Sequence, residues 1–354
     1  MTSIGIIGAG MIGNVHAETA TRVETSIACV FDSNEEKRSA FAEKFGCEEE
    51  TTVESLLSRD DIDGVVIAVP NFQHATLAIQ ALEAGKHVLL EKPMALSIEE
   101  CDKILNARDT SGKVLQLGFV CRYSPAAMKA KKMIDDGAIG NIVSIQATLL
   151  RQRGIPGLGG WFTTKALSGG GCLIDIGVHL IDLVMHMTSM NTPKRVIGRC
   201  SQAFTMANYA YDEMWSDPVE NGTFDVEDRI RASITFETGI VFDLNVSWAT
   251  HIPEQTIADG LLIEGKNGAL IVDLWSDEMI HAYSVDGKPH SETIKVDLED
   301  AWNDAFDGEH RAFSSSVKNG VIPADAGTGE DGKRVQEIVE AIYRSDDAQK
   351  EMTI

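Results

Sequence analysis

The chain has 354 residues, 44% hydrophobic and 24% charged, proportions ordinary for a folded enzyme and a length that calls for two domains rather than one core. A formal net charge of -23 argues against nucleic acid, whose phosphates demand a basic face, and against an anionic membrane surface. Six cysteines with no C-x-x-C pair read as reduced and structural, in a cytoplasmic protein. The opening MTSIGIIGAG lacks the charged start and long apolar core of a signal peptide. No uninterrupted apolar run reaches about 18 residues, so no membrane span is expected.

Ile4 to Ile7 reads as a strand, followed by GAGMIG. That places Gly8, Gly10 and Gly13 in G-x-G-x-x-G spacing between a strand and a helix running from Met11 to about Thr21, the context the fingerprint requires. Gly8 permits the tight turn, Gly10 lets backbone approach a pyrophosphate, and Gly13 lets the helix pack close to its strand. The amides opening the helix, at Met11 and Ile12, then meet the phosphate charge. A second strand, Ser26 to Phe31, ends at Asp32, close to the spacing of a ribose-binding acid. A carboxylate there binds ribose hydroxyls and repels a 2′-phosphate, which favours NAD over NADP. The same residue also reads as a helix N-cap, because DSNEEKR looks like a helix start.

The alternation continues with a strand at Gly64–Val69, a helix at His74–Ala84, a strand at His87–Glu91, a helix at Ile98–Ala107 and a strand at Val114–Gly118. Strands and helices at this spacing predict a parallel sheet over residues 1–122. Ligands bind such sheets beyond the carboxyl ends of the strands. Asn71, His74, Glu91 and Lys92 are therefore candidate cofactor contacts. Lys92, delivered by an apolar strand and held by Pro93, points at the cofactor crevice.

Beyond residue 122 the pattern changes to α+β. After a helix begun by Ser124 and Pro125, Ile142–Leu150, Arg231–Phe236, Ile240–Trp248, Gln255–Glu264, Ala269–Asp273 and Thr293–Val296 all read as extended. Short polar or Gly-containing turns join several of them, as in a mostly antiparallel sheet. Such a sheet with one helix-free face would need covering, so a partner subunit is expected over residues 123–354. Two helices, Trp302–Lys318 and Glu330–Ser345, close the chain. Arg151, Arg153 and Trp161 lie in a Gly-rich loop, where guanidinium forks and an indole face suit a sugar. The loop reads equally as one anchored by buried aromatics. Arg122 is a weaker candidate of the same kind.

SGGGCLIDIGVHLIDLVMHM, from Ser168 to Met187, reads as a flexible glycine turn leading into an apolar helix. Asp175, His179, Asp182 and His186 interrupt that helix on one narrow stripe at 100° per residue. Buried acids and imidazoles must be paired, so the stripe is structural, catalytic or metal-binding. No H-E-x-x-H pattern is present, and no metal is expected. Oxidation of an alcohol needs a base for the hydroxyl proton, and a carboxylate one turn away can orient it. Asp182 and His186 suit a structural role better.

The glycine fingerprint at Gly8, EKP at Glu91–Pro93 and GGGCLIDIGVHLIDL from Gly169 resemble the Gfo/Idh/MocA oxidoreductase family over nearly the whole chain. The resemblance implies a Rossmann domain plus a substrate-binding domain, residues 123–354, with a large open sheet through which a homodimer or homotetramer assembles. It also implies hydride transfer between NAD or NADP and a sugar, inositol or related polyol. Carried over by motif, Lys92 is the active-site lysine and Asp175 and His179 are its partners. His179 would take the hydroxyl proton while Lys92 steadies the developing alkoxide. Two other readings remain open: tightly held NAD used for transient oxidation in elimination or glycoside cleavage, and a non-catalytic dinucleotide-sensing regulator.

Overall fold

Short aliphatic runs bounded by glycines and turn residues build the first sheet. The computed structural model describes residues 2–23, 25–203, 211–212, 218–252 and 260–354. Its seven-stranded sheet runs in the order Gly327–Thr328, Leu115–Gly118, His87–Glu91, Gly64–Ile67, Ser3–Ile7, Ser26–Phe31 and Glu48–Glu49. All neighbours are parallel except the first pair. Gly64–Ile67 is buried along its whole length, which is why it carries an unbroken apolar run rather than alternation. The connecting helices start and stop where the sequence provides for it. Ser97 caps Ile98–Ser111 by accepting from the Glu100 amide, and Gly112 ends that helix at φ 65°, a conformation glycine takes without Cβ strain.

The chain forms two compact units, Met1–Val120 with Phe306–Gln336, and Cys121–Ala305 with Glu337–Ile354. The crossing at 120/121 lies beside the expected boundary at 122/123, but the units are not the two continuous stretches expected. The late segment joins the first unit because its apolar face completes that core. Phe313, 1% exposed, packs in one cluster with Ile4, Val30, Phe41 and Leu89. Gly327–Thr328 adds the edge strand.

The same late segment contributes a buried polar group. His310 Nε2 lies 2.8 Å from His16 Nδ1, and His16 Nε2 lies 2.9 Å from Glu91 Oε1. Glu309 is fully buried, and neither carboxylate oxygen has a hydrogen-bond partner among the described residues. One oxygen lies within 4.8 Å of the His16 and Glu91 atoms. Burial, reinforced by the Glu91 charge, pushes the Glu309 carboxyl well above its usual range, so it is held as the neutral acid. Burial and the neighbouring His16 push His310 well below the usual imidazole range.

The second unit holds a nine-stranded sheet in the order Lys288–Lys295, Glu278–Val285, Gly268–Val272, Gly260–Gly265, Ile142–Leu150, Val241–Ser247, Arg229–Phe236, Pro193–Ser201 and Met352–Thr353. It is antiparallel except where Val241–Ser247 pairs with Ile142–Leu150. Positions 255–259 of the strand expected at 255–264 lie outside the described residues. Along Ile142–Leu150, Ile145 and Ala147 are buried and Gln146 is exposed, the alternation of a sheet with one covered face.

The helical stretch Lys165–Thr188 is 24 residues long and contains an 18-residue window of mean hydropathy 1.5, apolar enough to cross a bilayer by length and composition. The sequence expectation of no such segment counted only uninterrupted runs, and the four ionisable residues interrupt this one. Of its apolar window, 78% is buried inside the fold, as in the core helix of a folded domain. Within it Asp182, 1% exposed, accepts from Arg122 Nε at 2.8 Å and Nη2 at 2.5 Å. Such a fork–fork pair satisfies both buried charges at once.

Two outcomes are expected. Arg122→Ala leaves the Asp182 carboxylate buried without its guanidinium and should cost about 3–5 kcal/mol of unfolding free energy in denaturant titration. For Glu309, the unfolded chain releases near pH 4.5 a proton that the native state retains, so stability falls as pH rises. His74 and His310, held neutral by burial, act oppositely, with stability lost as pH falls below 6.5. Calorimetric midpoints of Glu309→Gln should therefore fall less steeply than wild type above pH 6.5 and keep the acid-side loss.

Candidate active site

Within the first unit the glycines divide by what surrounds them. Gly8 has φ +107°, and a Cβ there would lie 2.2 Å from the Ala68 carbonyl oxygen. At Gly13 it would lie 1.9 Å from the Gly8 carbonyl oxygen. Both glycines are demanded by the turn and by the approach of the helix to its strand. Gly10 differs, because nothing lies within 4 Å of where its Cβ would stand. No protein atom requires glycine there. The open space precedes the helix Met11–Arg22, whose start at Met11 and Ile12 has no side-chain cap. An uncapped helix start facing open space is what a pyrophosphate needs.

Asp32 is anchored against this loop. Its Oδ2 accepts from the Ala9 amide and its Oδ1 from the Asn34 amide, each at 2.8 Å. The alternative reading of Asp32 as a helix cap is corrected. Asn34 caps Glu35–Phe45 by accepting from the Lys37 amide, which leaves the aspartate with the glycine loop. Loop, helix start and acid together fit the pyrophosphate and ribose of NAD.

At the carboxyl ends of two adjacent strands the structure places Asn71 and Lys92. Asn71 is buried and opens the short turn Asn71–Gln73. Lys92 is half-buried, and the Lys92–Pro93 peptide is cis. Glu91 and His74, expected among the cofactor contacts, are turned inward instead. Glu91 Oε1 meets His16, and Oε2 accepts from the Lys92 amide at 3.1 Å. His74 is 1% exposed, with Nδ1 2.7 Å from the Pro93 carbonyl oxygen and Nε2 2.9 Å from that of Val69. As a neutral ring it donates from one nitrogen only, to the carbonyl of Pro93 or of Val69.

In the second unit every residue from Cys172 to Met185 is buried except Asp175 and His179. The expected single stripe therefore splits: Asp175, His179 and His186 are half-buried, while Asp182 is buried against Arg122. A π-helical turn at Leu173–Gly177 widens the helix just where Asp175 sits, so regular 100° spacing does not hold across it. The glycines before it are not a flexible turn. A Cβ at Gly171 would lie 1.8 Å from the Glu227 carbonyl oxygen, and one at Gly170 1.9 Å from the Tyr343 hydroxyl. They let backbone close onto Glu227, whose Oε1 accepts from the Gly171 and Leu173 amides and the Tyr343 hydroxyl, each at 3.0 Å. Burial pushes that carboxyl up while the donors oppose the shift.

Trp248 Nε1 donates to Asp175 Oδ2 at 2.8 Å. Neither Trp248 nor Glu227 stood out in the sequence. One closes a strand and the other sits in a polar turn, and only the fold brings them to the helix. Of the expected substrate contacts, Arg122 is withdrawn, since its guanidinium is buried against Asp182. Arg151 and Trp161 are half-buried and Arg153 is exposed. Trp161 stacks on Phe162 with ring centroids 3.8 Å apart.

A family model described as an oxidoreductase family with an NAD-binding Rossmann fold matches residues 2–119, and one for the Gfo/Idh/MocA C-terminal domain matches residues 127–271. D-glucoside 3-dehydrogenase of Escherichia coli (strain K12) is 31% identical over 351 residues, 97% of this chain and 94% of the relative. Levoglucosan dehydrogenase of Pseudarthrobacter phenanthrenivorans is 29% identical over 304 residues, 80% of this chain and 77% of the relative. The solved structure of a levoglucosan dehydrogenase in complex with NADH and levoglucosan superposes with TM-score 0.87 at 25% identity, covering 100% of this chain and 99% of that one. With both family models matched and a relative aligned over almost its full length, the chain belongs to the Gfo/Idh/MocA family of oxidoreductases.

Proposed function

We propose that the protein is an NAD-dependent dehydrogenase that oxidises a secondary hydroxyl of a sugar, inositol or related polyol. The observation that carries this reading is that Asp175 and His179 alone stay partly exposed between Cys172 and Met185, in a chain whose other unit presents an uncapped, glycine-fronted helix start. Bound NAD supplies the hydride acceptor for the carbinol carbon. His179 takes the hydroxyl proton as general base. Lys92 donates to the oxygen as it gains negative charge. Asp175, one turn from His179, fixes the imidazole tautomer. Arg151, Arg153 and Trp161 are assigned to the sugar, through guanidinium forks and an indole face.

Asp32 supports NAD over NADP, because its carboxylate meets a 2′-phosphate with like charge. The presence of Lys92, Asp175 and His179 together argues against a regulator that only senses dinucleotide. Net accumulation of reduced cofactor separates a dehydrogenase from an enzyme that recycles tightly held NAD. The same reading takes the open face of the nine-stranded sheet as the contact of a homodimer or homotetramer. Gln146, Asp243, Ser233 and Ile197 form one row across it. It also keeps all six cysteines, none in a disulfide among the described residues, reduced in the cytoplasm.

The test is cofactor absorbance in a screen over methyl D-glucosides, levoglucosan and inositols. Lys92→Ala and His179→Ala should each lower kcat by about 10²–10⁴-fold, with NAD affinity within a few-fold of wild type. Near-normal turnover in either variant would defeat the mechanism. Asp32→Ala should relax the preference for NAD over NADP by roughly tenfold or more, read as the ratio of kcat/KM with the two cofactors. An unchanged ratio would remove Asp32 from cofactor selection.

A further inference from the structure

We infer that Trp248 is a positioning residue for Asp175, and that its indole N–H sets the direction in which the carboxylate faces His179. The inference rests on the assignment of Asp175 and His179 to catalysis and adds the group that holds them.

Asp175 lies in the π-helical turn Leu173–Gly177. Helical regularity alone does not fix its direction there, so a lateral contact must. Trp248 supplies one from 73 residues away, with Nε1 2.8 Å from Oδ2. The donor is rigid. Trp248 is 0% exposed, and its backbone amide donates to the Asp228 carbonyl at 2.8 Å. The indole N–H is the ring's only polar group, and when buried it must find an acceptor. A neutral N–H donor favours the ionised carboxylate, the form that can orient an imidazole. It occupies Oδ2 and leaves Oδ1 for other donors. The base of the same turn is fixed separately by Glu227, through the Gly171 and Leu173 amides. Backbone and carboxylate are thus held from two different parts of the second unit.

The experiment is a double-mutant cycle on the full chain, using Trp248→Phe, Asp175→Asn and the pair. Turnover is measured with NAD on whichever of methyl D-glucoside, levoglucosan and scyllo-inositol the wild type oxidises fastest. Trp248→Phe keeps the buried ring and removes the donor. It should lower kcat roughly ten- to a hundredfold, with KM changed less than threefold or so. In the Asp175→Asn background the same change should have little further effect. NMR titration of the His179 imidazole, assigned with His179→Gln, gives a readout independent of substrate. Its midpoint should move downward in Trp248→Phe, in the same direction as in Asp175→Asn. Wild-type kcat and titration in Trp248→Phe, or a full additional loss in the Asp175→Asn background, would overturn the inference while leaving Asp175 catalytic. Wild-type turnover in Asp175→Asn alone would overturn the assignment of Asp175 itself, and the inference with it.

Discussion

Desolvation limits what an apolar helix may carry, and the stretch from Cys172 to Met185 works within that limit in two ways. Asp182 is buried and answered by a forked guanidinium from Arg122. Asp175 and His179 are spared full burial. A buried carboxylate without a partner would cost several kcal/mol or lose its charge. The sorting of these groups into paired and exposed is thus what lets the helix fold and what leaves two of them available for chemistry. Every contact at its start follows from the same limit, with Glu227 accepting three donors and Gly170 and Gly171 making room for it.

The first unit shows the same logic at the end of a strand. Glu91 cannot run into the interior as a bare anion, and His16 meets one of its oxygens. Glu309 resolves the remaining conflict by staying protonated. Lys92 follows directly, so its backbone starts from a residue held on both carboxylate oxygens. The glycine fingerprint has a comparable economy. Two of its members are compelled by neighbouring backbone, and the third, Gly10, has nothing within 4 Å of its Cβ position among the described residues. That last absence speaks most directly for a ligand, because packing gives no other reason for the missing side chain.

Much of this was legible in the chain because it is local. Strand, glycine turn and helix follow one another within 22 residues, and the parallel alternation repeats the same unit. The EKP turn and the D-x-x-x-H pair are equally short-range signals. What escaped depends on distant pairing. Arg122 looked like a ligand-binding arginine until Asp182, 60 residues on, was seen to hold it. His74 and Glu91 stood in cofactor positions by sequence, yet their polar atoms turn to Pro93, Val69 and His16. The π turn is silent in composition, and it alone breaks the regular stripe. Pro193–Ser201 and Glu278–Val285 are absent from the expected extended stretches, and pairing with distant strands reveals them.

The return of residues 306–336 to the first unit has a consequence for biosynthesis. The ribosome releases the amino-terminal sheet long before it makes Phe313, the edge strand at Gly327–Thr328, or the helix bearing Glu309 and His310. Through all of that time the nascent unit lacks a piece of its own interior, and the usual order, in which the leading domain matures while the rest is still being made, is unavailable to it. Completion of the nucleotide-binding half therefore waits on translation of nearly the entire polypeptide. A chain stalled anywhere before residue 306 would present an unfinished apolar surface to chaperones and proteases.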